Sequence, residues 1–200
     1  ASKPVAPGTE KNVANPFETE EREIIRILLK YFHQEAFEFE DEETHQLNKY
    51  SVGYYVLNEL HGDGLISVNH KVRSILLAME ENLDNKEFDP IRFFTQHPDN
   101  EMSQYASNLL SEKYTESKRW SKSGAFIETE SEKLYDIVPM LIKEYKLKNV
   151  KIMQEKLGQQ INEASKNNDE ERTRELQTQY QKLNEVINAL SKLHGFRAIT

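Results

Sequence analysis

The chain has no cysteine, which excludes disulfides, thiol catalysis and every cysteine-based zinc site. It has no apolar run of about 18 residues, so no segment is expected to cross a membrane as a helix. It also lacks an excess of positive charge. The formal net charge is -8 at pH 7, a sign that disfavours non-specific binding to nucleic acid or an anionic membrane. The histidines (His33, His45, His61, His70, His97 and His194) form no H-x-x-x-H or H-E-x-x-H pair and read as turn or surface residues. Phosphate-cradling glycine loops and the G-x-S-x-G nucleophile elbow are missing. Carboxylates are plentiful, but the clustered ones fall in an acidic stretch that cannot hold the fixed separations of paired catalytic acids. The chain is therefore not expected to be a catalyst, and neither cofactor nor metal is expected.

What is present is lean in apolar groups and rich in charge. Hydrophobic residues make up 37% and charged residues 30%, with a mean hydropathy of -0.77. That balance suits elongated helical structure, and 200 residues hold one domain or one domain plus an appendage. The opening Ala-Ser-Lys-Pro is neither an initiator methionine nor a secretion signal, which suggests a fragment of a longer chain. Residues 1–16, with Pro4, Pro7, Gly8 and Pro16, read as a linker. The reducing cytoplasm is the compartment that fits.

Residues 17–128 read as a bundle of about five helices. Thr19 can cap the first, whose Ile24, Ile25, Ile27, Leu28, Leu29 and Phe32 are apolar on more than one face, as a core helix requires. Residues 35–43 hold six acidic side chains and two phenylalanines, and read as a solvated loop whose alternation also allows a short extended piece. Ser51 opens a second helix ending at His61-Gly62-Asp63-Gly64, and Asn69 opens a third. Short helices follow Pro90 and Pro98-Asp99. Residues 111–128 read as a connection with Trp120 as an anchor. The only other strand signal is a weak one near Phe126.

Residues 129–200 read as a long helical hairpin, giving an all-α chain. Thr129 and Glu132 form an S/T-x-x-E start, and helical residues continue to about Lys166. Asn167-Asn168-Asp169 supplies the turn, and Asp169 can cap the return arm. At about 1.5 Å per residue the first arm is near 57 Å and the second near 37 Å, so roughly a dozen residues have no partner in the hairpin. Leu134, Ile137, Val138 and Leu141 should pack on the bundle instead, and Pro139 should mark where the arm bends away from it.

Leu176, Tyr180, Leu183, Ile187 and Leu190 follow one another at steps of 4, 3, 4 and 3, the spacing of a packed seam, while Val186 and Leu193 lie on an adjoining stripe. Two helices cover only one narrow stripe each, so this face has apolar surface to spare. A docking surface for another protein and a homodimer seam are both open on this pattern. Two basic stretches carry a weaker signal. Lys113, Lys118, Arg119, Trp120 and Lys122 could stack and pair with a nucleic acid, and Lys143, Lys146, Lys148 and Lys151 lie on the first arm. With Glu144 and Glu155 interspersed, lysines on a solvated helix are the plainer expectation.

Several segments in order resemble a known family. Glu21 to Leu29 (Glu-Arg-Glu-Ile-Ile-Arg-Ile-Leu-Leu) resembles the opening of the C-terminal region of bacterial DNA primase, the DnaG family. Leu109-Leu110-Ser111-Glu112-Lys113-Tyr114, Ser117-Lys118, Trp120 and Glu128-Thr129-Glu130 are similar to the Bacteroidetes branch of that family. So are Tyr145-Lys146-Leu147-Lys148-Asn149-Val150 and Leu193-His194-Gly195-Phe196-Arg197. The acidic 35–43 stretch and Pro139 are not part of the pattern. The resemblance implies a helical bundle followed by a helical hairpin that binds the N-terminal domains of the replicative helicase DnaB. It implies recruitment of primase for RNA primer synthesis in DNA replication. The zinc-binding and polymerase domains of such a primase lie upstream, so this stretch is non-catalytic by itself. Tyr180, Leu183, Val186, Ile187, Leu190 and Leu193 are then the expected helicase-binding residues, with no membrane partner and no strong direct nucleic-acid binding. The alternative is a free-standing helical structural protein that homodimerises through the hairpin.

Overall fold

The computed structural model describes residues 15–40, 45–65, 67, 69–111 and 129–192. The linker over residues 1–14, the connection with Trp120 and Phe126, and Leu193 and His194 lie outside the described residues. In chain order the elements are α1 (Glu18–Tyr31), β1 (Glu35–Glu40), β2 (Leu47–Ser51), α2 (Val52–Gly62), α3 (His70–Glu81), α4 (Pro90–Thr95) and α5 (Asn100–Ser111). A 3-10 turn (Glu130–Lys133) then leads into α6 (Leu134–Lys166) and α7 (Glu170–Lys192). The chain is all-α with one small two-stranded sheet.

Helix α1 is the core helix. Ile24, Ile25, Ile27, Leu28 and Leu29 are all buried, and α1 packs against α2, α3, α4, α5 and α6. A helix apolar on several faces needs neighbours on several faces, and α1 has them. Its start departs from expectation. Thr19 is exposed inside the first turn, and Phe17 stands at the cap position without a side-chain bond. Asn15 organises the entry instead: its Oδ1 accepts from the Phe17 N–H at 3.1 Å and its carbonyl from the Glu18 N–H at 3.2 Å. The other expected starts hold. Ser51, Asn69 and Asp89 accept from the N–H groups of Tyr54, Lys71 and Arg92, and Pro90 opens α4.

The acidic stretch is a strand where a solvated loop was the first expectation. β1 pairs antiparallel with β2, Glu38 opposite Lys49 and Phe39 opposite Asn48. The two-residue period decides this: Phe37 and Phe39 turn inward to stack on Tyr55, at 4.1 and 6.2 Å between ring centres, while Glu38 and Glu40 face water. Burying Phe37 and half-burying Phe39 outweighs the polarity of the alternate positions. Gly53 is required where α2 meets α1. Its N–H donates to the Phe32 carbonyl at 2.9 Å, and a Cβ there would stand 2.6 Å from the Phe32 ring.

Helix α6 has two environments. Leu134, Val138, Ile142 and Tyr145 are buried in the bundle core, with Ile137 and Leu141 partly buried beside them. Pro139 lies in the middle of this packed stretch rather than at its edge, and the helix runs through it as one element. The bundle holds α6 for about ten residues past the proline, because Lys146 and Lys148 still pair with bundle carboxylates. The last part of α6 lies against α7.

Candidate interaction surface

The hairpin turn follows from local chemistry. Asn168 takes a left-handed backbone (φ 53°), a conformation asparagine tolerates. Asp169 then caps α7, its Oδ1 accepting from the Arg172 N–H at 3.0 Å. Beyond the turn, Gln154 Nε2 donates to Asn184 Oδ1, and Gly158 faces the Tyr180 ring. These two contacts fix the register of the arms. On α6 the seam runs through Leu147, Val150, Gln154, Leu157, Ile161 and Ala164, alternating steps of three and four that face the return-arm seam. Gln154 is the polar member, and its bond to Asn184 pins one alignment of the arms.

The seam closes only near the turn. Ala164 and Leu176 are the buried pair, at 8% and 2% exposure. Tyr180, Leu183, Ile187 and Leu190 are all half-buried, as are Leu147, Val150, Leu157 and Ile161 across from them. Two helices without a third layer leave the flanks of their shared stripe wet. Val186 lies outside the seam, 43% exposed, as its spacing suggests. Met153 on α6, 49% exposed, is a surface residue the return-arm pattern alone does not reveal. Helical phase at about 100° per residue, set by the Gln154–Asn184 register, puts Met153 and Val186 on one side of the hairpin at nearly the same height. The opposite side carries Gln177, Asn184, Asn188 and Lys151. Met153 and Val186 thus make a small exposed apolar patch on one side of the hairpin, and the opposite side is polar.

The mount beneath the hairpin is held by charge pairs between bundle and arm. Arg26, 4% exposed, donates from both terminal guanidinium nitrogens to Glu130 across 104 residues, and the Tyr31 hydroxyl donates to the same carboxylate at 2.8 Å. Lys30 stands 3.5 Å away. Burial alone would raise the Glu130 carboxyl. The hydrogen bonds from Arg26 and Tyr31 and the charges of Arg26 and Lys30 outweigh it, and hold the group at about 2. Burial and the bond to Glu130 push the Tyr31 phenol up to about 12. Gln34 adds neutral ties to Ser131, donating to its carbonyl at 3.0 Å. Farther along, Lys146 is 7% exposed between Glu59 and Asp63, and Lys148 pairs with Glu20 at 2.8 Å. These two lysines are parts of the bundle contact rather than members of a solvated face. Lys151, one turn on, is exposed.

Among the described residues, no group of three or more His, Asp or Glu side chains could hold a metal ion. An open groove of about 520 Å³ beside β2 is lined by residues of both signs, Glu35 and Asp84 with Lys49 and Lys86. No helix among the described residues is long and apolar enough to cross a membrane. The chain belongs to the family described as a domain of unknown function, DUF8430, whose profile matches residues 8–198. No curated protein and no solved structure matches it.

Proposed function

We propose that this chain is the helicase-binding module of a bacterial DNA primase. The bundle is the mount, and the hairpin is the arm that brings primase to the N-terminal domains of the replicative helicase for RNA primer synthesis. The ordered resemblance to the primase C-terminal region supports this reading, as does the succession of bundle and hairpin that the resemblance implies. The observation that carries it is the exposed apolar patch on one side of the hairpin, where Met153 and Val186 stand 49% and 43% exposed beside a half-open seam. A protein partner with its own apolar face gains by covering that surface. The module works by binding, in the cytoplasm, with no cofactor and no catalysis of its own. Its net charge of -8 weighs against a direct grip on nucleic acid.

Self-association is the second reading, since the same exposed side could meet a second copy. Size-exclusion chromatography with light scattering, on the chain alone and mixed with helicase N-terminal domain, separates the two. A monomer that moves into a complex with the helicase domain is expected. A tight dimer indifferent to the helicase domain would replace the docking reading with the structural one.

A further inference from the structure

Glu21 is 2% exposed, and among the described residues its carboxylate is held by neutral donors only. Oε1 accepts from Ser67 Oγ at 2.6 Å and from the Tyr145 hydroxyl at 3.4 Å, while Oε2 accepts from Asn15 Nδ2 at 2.7 Å. The donors come from three parts of the chain: the segment entering α1, the connection between α2 and α3, and α6. Tyr145 sits just before Lys146 and Lys148, where α6 makes its last charged ties to the bundle. The junction therefore lies at the point where the hairpin departs.

The donors on either side are aimed at the carboxylate. Asn15 uses its Oδ1 to accept from the Phe17 N–H at 3.1 Å, so its amide nitrogen must face Glu21. Ser67 Oγ accepts from the Asn69 N–H at 3.0 Å, and its own hydrogen goes to the carboxylate at 2.6 Å rather than to the Asn69 carbonyl, which is farther at 3.3 Å. Ser67 is itself 2% exposed, and its carbonyl takes two bonds from the Arg73 guanidinium. Both ends of the Glu21 head group thus meet a donor, and only a carboxylate offers an acceptor at both ends. Glutamine, though of the same shape, would turn its amide nitrogen toward either Ser67 or Asn15. Aspartate falls one methylene short.

We propose that Glu21 is a positioning residue for the hairpin: its buried carboxylate ties Tyr145 to α1 and to the α2–α3 connection, and so fixes the direction in which α6 leaves the bundle. The proposal does not depend on which partner the hairpin meets. Because the chain has no cysteine, Ser74→Cys on α3 and Gln179→Cys on α7, both exposed, place spin labels nowhere else. Pulsed electron–electron double resonance then reads the bundle-to-hairpin distance. One narrow distribution is expected for the labelled parent. Glu21→Gln should shift or clearly broaden it while helical circular dichroism is retained, and Tyr145→Phe should do the same to a smaller extent. Charge removal alone is controlled by Glu18→Gln, exposed in the first turn of α1, which should leave the distribution as it was. A folded Glu21→Gln protein with the parental distribution overturns the proposal. Should Glu21→Gln fail to fold, Ser67→Ala combined with Tyr145→Phe strips the donors from one oxygen and keeps the carboxylate. Broadening in that double variant supports the proposal, and an unchanged distribution overturns it.

Discussion

The two halves of α6 are one helix with opposite duties. From Leu134 to Lys148 it is a wall of the bundle: Leu134, Val138 and Ile142 are at most 2% exposed, and Lys146 is buried between two carboxylates. From Asn149 to Lys166 it is half of a two-helix arm, in which Ala164 is the one buried residue. The apolar spacing is similar in both halves, so periodicity alone does not decide burial. The number of neighbouring layers does. The first half meets α1, α2 and the sheet as well as its own chain neighbours, whereas the second is described against α7. Stability is concentrated in the first half, and apolar surface remains available in the second.

That contrast breaks first where packing is densest. Ile142→Ala removes a fully enclosed side chain, 2% exposed, and should lower stability by about 2–5 kcal/mol in urea unfolding. A loss under about 1 kcal/mol would mean that the bundle half of α6 is not part of the core.

The Glu130 tie should give a pH-dependent effect of nearly that size. Folding lowers its carboxyl from an ordinary 4.5 to about 2. Its stabilisation is therefore present above the unfolded value and is lost as pH falls toward the folded one. The side chain is 18% exposed, and the contribution near neutral pH is about 3 kcal/mol. The stability gap between the parent and Glu130→Gln should be wide at pH 7 and narrow between pH 5 and pH 2. Parallel curves over that range would remove Glu130 from the mount.

Seam residues in the arm should cost less than core residues. Leu183 is only half-buried, so Leu183→Ala is expected to lose about 1–2 kcal/mol rather than the full cost of an enclosed leucine. Leu176, at 2% exposure beside the turn, should lose more under the same substitution. Equal losses at the two positions would show that the seam is closed along its whole length in solution.

Much of this architecture is legible in the sequence, for local reasons. Ser51, Asn69, the Thr129–Glu132 pair and Asp169 bond to groups two or three residues away, and Pro90 suits a first helical turn by its own ring, so short motifs reveal them. The strand at Glu35–Glu40 hides because its glutamates dominate the composition while its phenylalanines determine the packing. The buried charges hide more completely. Arg26 meets Glu130, Lys146 meets Glu59, and Glu21 meets Tyr145 at separations of 104, 87 and 124 residues, and no local pattern distinguishes them from solvated side chains. Of the expected docking residues, spacing separates Val186 from the seam correctly. Met153 becomes visible only when the register of the two arms is known.

The smallest expected change in stability accompanies the largest expected change in binding. Isothermal titration of helicase N-terminal domain into the parent and into Val186→Glu, with melting temperatures taken on the same samples, tests the docking role of the arm most directly. Val186 is 43% exposed and outside the seam, so the variant should melt within a few degrees of the parent. Its affinity should fall more than about tenfold, the loss of a desolvated apolar anchor worth about 2 kcal/mol. A folded Val186→Glu protein that binds the helicase domain as tightly as the parent would contradict the docking role of this side of the hairpin.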